Sequence, residues 1–271
     1  MSTKVITLDN VSWRRQKKPI LQDIQWEVQK GEHWAILGAN GSGKTSILKL
    51  ITGYEWATTG TIDVLGERFG QTAIFDLRKR IGWLSASLDE KYRNYEGLSC
   101  ADVIVSGKHA SVGIHEQVDD VDIQQALSLA KEMGLSHVSH SPLRNLSQGE
   151  RKKTFYARAM MTSPEIMIVD EPTSGLDILA REQFLTHLQN AHLNAESPVL
   201  LYVTHYPEEI IPAVTHVLLL KNGRVVAADK KEKVLTDQLL TQAFDVPIFV
   251  SWRDERPWIQ VGSIAEVGKS T

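Results

Sequence analysis

The sequence predicts an α/β fold in which a mixed, largely parallel sheet is joined by an antiparallel β subdomain and carries an inserted helical subdomain. Three observations lead there. Short apolar runs bounded by turn residues alternate with stretches of helical periodicity over most of the 271 residues. From about residue 86 to residue 161 the short strands give way to helices. Sheet texture then resumes at Ile166-Met167-Ile168-Val169-Asp170, followed by a helical pattern over 178–193 and an apolar strand over 199–203.

In chain order, residues 5–13 read as a strand, and Ile24, Trp26 and Val28 alternate with Gln25 and Glu27 in a second. Arg14-Arg15-Gln16-Lys17-Lys18-Pro19 is a basic turn between them, and Lys30-Gly31-Glu32 turns the chain into the buried strand His33-Trp34-Ala35-Ile36-Leu37. Next comes Gly38-Ala39-Asn40-Gly41-Ser42-Gly43-Lys44-Thr45, which fits G-x-x-x-x-G-K-[ST]. Ser46-Ile47-Leu48-Lys49-Leu50-Ile51 leaves it as an apolar-faced helix, with Gly53 as its stop. Residues 60–66 and 80–84 are glycine-marked strands. Residues 119–134 form a helix with an acidic start, an apolar stripe through Ile123, Ala126, Leu127, Ala130 and Met133, and a terminal glycine. Asn222-Gly223 is a hairpin signal between strands 216–220 and 224–228. The tail reads as helices over 230–244 and a hairpin, 248–252 with 258–261, turning at Asp254-Glu255-Arg256. The organisation expected is one domain over 1–228, with the helical insertion at about 86–161, and a C-terminal extension over 229–271.

Composition narrows the function classes. Hydrophobic residues make up 42% of the chain, enough for a sizeable core. The 30 Lys plus Arg against 33 Asp plus Glu leave a net charge of −3, which argues against nucleic acid as a partner. Cys100 is the single cysteine, so no intramolecular disulfide can form and a reducing compartment is expected. The first residues lack the pattern of a secretory signal. Apolar runs such as Val217-Leu218-Leu219-Leu220 fall far short of the roughly 18 residues that span a bilayer, so a membrane role requires a partner.

The chemistry is legible in three stretches. Strand, glycine loop and helix start together make a phosphate site, because inward-turned backbone N–H groups and the helix dipole both favour an anion while lysine and threonine supply a cation and a Mg²⁺ ligand. Asp170-Glu171 ends a buried strand, where one carboxylate can serve Mg²⁺ and the next can orient and deprotonate water. Leu146-Ser147-Gln148-Gly149-Glu150 opens a helix running to Met161, with Ser147 as N-cap and Glu150 as its capping-box partner. That serine hydroxyl and the Gly149 N–H are a second anion site. If the two anion sites lie on different subdomains, a single ATP engages both only when two chains each complete the other's site.

With these residues in hand, the chain resembles the nucleotide-binding subunit of an ATP-binding cassette (ABC) transporter, a P-loop NTPase, over roughly residues 5–228. The resemblance implies that Gly38, Ala39, Asn40, Gly41, Ser42, Gly43, Lys44, Thr45 and Ser46 bind ATP, with Lys44 and the loop amides on the β- and γ-phosphates. It implies that Trp13 stacks on adenine, that Thr45 and Asp170 serve Mg²⁺, and that Glu171 is the catalytic carboxylate. It further implies that His205 senses the γ-phosphate and that Ser147 and Gly149 contact it across a head-to-tail dimer. Ser174-Gly175-Leu176-Asp177 resembles the loop that signals between the two sites. The tail resembles that of subunits serving metal-chelate and oxyanion importers.

Two departures accompany the match. The family usually has glutamine after the strand corresponding to 81–84, near Mg²⁺ and the membrane subunit, and this chain has Ser85. Gln148 and Glu150 stand where the commonest signature has glycine and glutamine. The implied function is an ATPase subunit that dimerises on ATP and drives an integral-membrane permease, held at the inner face of the cell membrane. The alternative is a soluble ABC-type switch in a repair or regulatory role, which Ser85 motivates. A small-molecule kinase shares the phosphate loop and leaves 146–150 and His205 unexplained.

Overall fold

A computed structural model describes residues 3–71, 73–85, 87–108, 118–194 and 196–263. Residues 86 and 109–117 of the expected helical insertion and 264–271 of the expected extension lie outside the described residues. In chain order the elements are β1 (Lys4–Arg15), β2 (Lys18–Gln29), β3 (Trp34–Leu37), α1 (Lys44–Ile51), β4 (Thr59–Val64), β5 (Glu67–Arg68), α2 (Ile74–Lys79), β6 (Ile81–Leu84), α3 (Ser87–Lys91) and α4 (Cys100–Val105). They continue with α5 (Asp120–Glu132), α6 (Gln148–Met160), β7 (Ile166–Asp170), α7 (Ile178–Ala191), β8 (Val199–Thr204), β9 (His216–Lys221) and β10 (Arg224–Lys230). The tail holds α8 (Lys231–Val234), α9 (Asp237–Phe244), β11 (Ile248–Arg253) and β12 (Arg256–Val261). Two compact units result, one of residues 1–78 with 199–271 and one of residues 79–198.

In the first unit, β3 is buried at every residue, as a strand covered on both faces must be. It pairs in parallel with β8 on one side, Ile36 opposite Val203, and with β9 on the other, Ile36 opposite Leu218. The β9–β10 hairpin closes antiparallel across Asn222-Gly223, whose φ values of 48° and 73° suit a tight hairpin turn. A separate antiparallel sheet runs β2-β1-β4-β5. The basic turn between β1 and β2 shrinks to Gln16-Lys17, because both strands extend to Arg15 and Lys18. Trp34 packs edge-on to Trp26 of β2, with ring centroids 5.6 Å apart, and stacks on His216 of β9 at 4.8 Å.

In the second unit, β6 and β7 pair in parallel with Ile81 opposite Ile166. The α5 stripe is narrower than its periodicity suggests. Ala126, Ala130 and Met133 are buried, whereas Ile123 is 39% exposed. The reason lies one residue earlier, where Asp122 is buried because Lys108 pairs with it, so the buried face of the first turn belongs to an ion pair. On α6, the buried Arg158 donates to the Tyr92 hydroxyl at 2.8 Å, and that hydroxyl shares a 2.7 Å hydrogen bond with Ser106.

One contact in the first unit positions the phosphate loop. The Gly223 N–H donates to the Ser42 carbonyl at 2.9 Å, and the Gly223 carbonyl accepts from the Gln22 N–H at 2.8 Å. A Cβ on Gly223 would lie 2.1 Å from the Ile20 carbonyl oxygen, so only glycine lets the hairpin turn approach. Gly223→Ala is therefore expected to lower stability by about 3 kcal/mol, combining left-handed strain with a backbone clash. Gly31→Ala, at φ 86° with nothing within 4 Å of a new Cβ, should lose only about 1 kcal/mol. Urea unfolding of the two variants measures the difference.

Candidate active site

In the first unit, β3 delivers the chain into residues 38–43, and α1 begins at Lys44. Gly43 occupies the N-cap with φ 109° and offers no side-chain cap, so the first-turn N–H groups of α1 are left for another acceptor. The loop is a cradle with no room for side chains at its tightest points. A Cβ on Gly38 would meet the Leu220 carbonyl oxygen at 2.5 Å, and one on Gly43 would meet Leu21 Cδ2 at 2.6 Å. Ser42 is buried, and its hydroxyl has no hydrogen-bond partner among the described residues. Lys44, 6% exposed, donates through Nζ to the carbonyls of Gly38 at 2.8 Å and Ala39 at 3.3 Å. Asn40, Gly41 and Thr45 are exposed, and Ala39 and Ser46 half-buried. Orphaned donors, a buried ammonium and a glycine-lined concavity together fit a polyphosphate.

The same unit carries Trp13 and His205. Trp13 lies in β1 opposite Leu21 and is 6% exposed, so a face-on stack with adenine requires its ring to be uncovered. His205 follows β8, half-buried, with its ring 3.9 Å from that of Tyr206. The turn bearing it is anchored from below by Glu209, a residue that periodicity alone did not single out. Glu209 is 2% exposed and accepts from the Thr204 hydroxyl at 2.6 Å and the Tyr202 hydroxyl at 3.2 Å, while Thr204 Oγ1 accepts from the Tyr206 N–H at 3.0 Å.

In the second unit, β7 is buried up to Val169 and emerges at the half-buried Asp170 and Glu171. Glu171 has φ 46°, the left-handed region that a β-carbon disfavours, so local packing holds this carboxylate at some conformational cost. Ser85 follows β6, and its hydroxyl is 3.0 Å from that of Ser87. Asp170, a carboxylate, and Thr45, a hydroxyl, are hard oxygen donors of the kind Mg²⁺ takes.

The capping box of α6 is complete. Ser147 donates from its N–H at 2.8 Å and its hydroxyl at 2.7 Å to Glu150 Oε2, and the Glu150 N–H returns a bond to Ser147 Oγ at 3.3 Å. His137 Nε2 lies 3.0 Å from the other Glu150 oxygen. Burial pushes the Glu150 carboxyl up, but the hydrogen bonds from Ser147 and the neighbouring His137 outweigh it and hold the group below its ordinary value. Gly149 is buried, where a Cβ would lie 3.2 Å from Ala180 Cβ. Asp177 caps α7 by accepting from the Ala180 N–H at 2.8 Å, and a Cβ on Gly175 would meet the Gln148 amide oxygen at 3.2 Å. Residues 174–177 are thus packed directly against the start of α6.

A family model described as ABC transporter matches residues 21–174. This chain belongs to that family. ABC cassettes hydrolyse ATP, and this chain is such an ATP-binding ATPase. The chain is 40% identical over 256 residues to the uncharacterized ABC transporter ATP-binding protein YlmA of Bacillus subtilis, covering 94% of this chain and 96% of that one. It is 30% identical to the zinc uptake system ATP-binding protein ZurA of Listeria innocua, covering 87% of this chain and 93% of that one. The ADP conformation of MJ1267, an ATP-binding cassette of an ABC transporter, shares the fold, with a TM-score of 0.74 at 19% identity over 85% of this chain and 92% of that chain. Among the described residues no helix is long and apolar enough to cross a membrane.

The cassette's capping box carries a pH signature. Because Glu150's pKa is lowered on folding, its contribution is fully present above about pH 4.3 and is lost as pH falls through the depressed folded value. Glu150→Ala should lower stability by about 1 kcal/mol near neutral pH. The deficit should shrink steadily in denaturation series run below about pH 4.

Proposed function

We propose that this cassette is a motor subunit that binds ATP between two copies of itself, closes head-to-tail, and reopens on hydrolysis, moving an integral-membrane permease as it does so. The observation that carries the reading is the serine-capped start of α6, which places the exposed Ser147, followed by Gly149, on a different compact unit from the phosphate loop. In the closed pair, Lys44 leaves the loop carbonyls for the β- and γ-phosphates, joined there by the loop amides and the Ser42 hydroxyl. Trp13 lies against adenine, and Thr45 and Asp170 hold Mg²⁺, with Ser85 nearby. Mg²⁺ held there would supply charge neutralisation for the phosphates. Glu171 accepts a proton from the attacking water. His205, fixed through the Glu209 anchor, reports the terminal phosphate. The signature face of the second copy completes the enclosure.

The ATPase domain is assigned to 1–228, with the helical segment 86–161 inserted, and 229–271 to an extension. A zinc uptake relative and the importer-like tail support import of a metal ion or oxyanion, with the subunit cytoplasmic and peripheral at the inner face of the cell membrane. Ser85 favours one second reading, a soluble switch uncoupled from transport, since the missing glutamine lies on the side where a transporter connects its motor. Recovery of a stoichiometric polytopic membrane protein from detergent extract supports the transporter. Its repeated absence supports the switch.

Glu171→Gln is expected to slow ATP hydrolysis by about 10² to 10⁴ and to leave an ATP-bound dimer on size-exclusion chromatography. Unchanged turnover in that variant removes Glu171 from its role as base.

A further inference from the structure

The C-terminal hairpin of β11 and β12 belongs to the same compact unit as the phosphate loop and His205. Its hydrogen bonds lead back to both. On one side, the N–H groups of Val250 and Ile248 donate to α9, to Asp237 Oδ1 at 2.8 Å and Thr241 Oγ1 at 3.0 Å. The far end of α9 is held by Lys221, whose Nζ donates to the Gln242 carbonyl at 2.6 Å and to Asp245 Oδ1 at 2.5 Å. Lys221 immediately precedes the Asn222-Gly223 turn that braces the phosphate loop. On the other side, Arg256 of β12 reaches the segment after β8 that carries His205.

Three features aim Arg256 at that segment. The turn before it, Asp254-Glu255, has φ values of 50° and 58°, as a tight two-residue hairpin turn requires. Lys231, 4% exposed, donates to the Glu255 carbonyl at 3.3 Å and to the Pro212 carbonyl at 3.0 Å, which fixes the hairpin tip against the body of the unit. The Arg256 guanidinium lies 5.3 Å from the centroid of the Trp258 ring. From there Arg256 donates through Nε at 3.1 Å and Nη2 at 2.6 Å to a single acceptor, the Glu208 carbonyl.

That carbonyl belongs to a ring of bonds around His205. Pro207–Glu209 form a short 3₁₀ turn, in which the Glu209 N–H donates to the Tyr206 carbonyl at 3.2 Å and the Ile210 N–H to the Pro207 carbonyl at 3.0 Å. Neither bond uses the Glu208 carbonyl, an end-of-turn acceptor that must find its donor outside the turn. Glu209 grips the turn from the core through the Thr204 and Tyr202 hydroxyls, and Thr204 Oγ1 holds the Tyr206 N–H. One grip alone leaves the turn free to pivot. Grips on adjacent residues, 209 from the core and 208 from the hairpin, fix its orientation and with it the backbone that carries His205.

We propose that Arg256 is a positioning residue for His205, so that the C-terminal extension takes part in ATP turnover. The proposal rests on the reading of His205 as the residue that meets the terminal phosphate. Arg256 acts through the Glu208 carbonyl and not on the nucleotide. Its loss slows turnover and leaves nucleotide binding in place, because the phosphate loop keeps its own backbone supports.

The experiment measures kcat and KM for Mg²⁺-ATP hydrolysis by the full chain, with thermal melts to show that each variant is folded. Arg256→Met keeps the apolar stem and removes the donors, and it should lower kcat about tenfold with KM within about twofold of the parent. Arg256→Lys, which offers one donor in place of a fork, should lose only about threefold. His205→Ala should lower kcat about 10²-fold. Adding Arg256→Met to His205→Ala should then change kcat by less than about twofold, because a residue acting through His205 has nothing left to position. A tenfold loss that persists in the His205→Ala background would mean that Arg256 supports the unit generally, and it overturns the proposal. So does a folded Arg256→Met chain whose kcat stays within twofold of the parent. Should Arg256→Met not fold, Arg256→Lys carries the same comparison: a threefold loss confined to the chain with His205 supports positioning, and an equal loss in both backgrounds, or none, overturns it. If His205→Ala itself turns over like the parent, the reading of His205 fails, a result distinct from the others.

Discussion

The constraint on which the first unit depends is that a chain must turn sharply at the end of a buried strand while leaving its backbone donors free. Glycine meets it at Gly38 and Gly43, where a β-carbon would strike the Leu220 carbonyl or the Leu21 side chain. The loop is not left to hold its own shape. Gly223, at the turn of the neighbouring hairpin, donates to the Ser42 carbonyl, and Gln22 of β2 donates to Gly223 in turn. The phosphate loop is thereby tied to the central sheet and to the antiparallel sheet at once, through backbone hydrogen bonds. Preorganised amides of this kind pay no reorganisation when charge arrives.

The second unit solves a different electrostatic problem. Its α6 presents an anion-seeking end, yet the residue that satisfies its cap is itself an anion, Glu150. Glutamine would cap without charge. The carboxylate caps more strongly and recruits His137, but it sets a negative group beside the place where phosphate is proposed to dock.

Much of this was readable from residue patterns because the determining interactions are local. The strand, glycine loop and helix of 33–51 lie in one continuous stretch, and the Ser147–Glu150 box has its own spacing, as does the Asn222-Gly223 turn. What escaped was set by how the chain packs, which residue patterns do not display. Glu209 reads as one acid in an acidic pair, and only the fold places it under Thr204 and Tyr202 to steady His205. Ile123 sits on the apolar stripe by periodicity, yet Lys108 draws Asp122 inward and takes its place. Nor does any pattern reveal that Glu171 adopts φ 46°, since that follows from how the surrounding chain packs.

Lys44 donates to the carbonyls of Gly38 and Ala39. A triphosphate recruiting this ammonium must win it from oxygens that already hold it, so the net gain is a difference between two sets of bonds. The reverse exchange works in favour of turnover. On the proposed reading, once spent nucleotide departs the ammonium can return to the Gly38 and Ala39 carbonyls, and no buried charge is stranded. An ATPase that must discharge its product every cycle benefits from a grip that is easily relinquished.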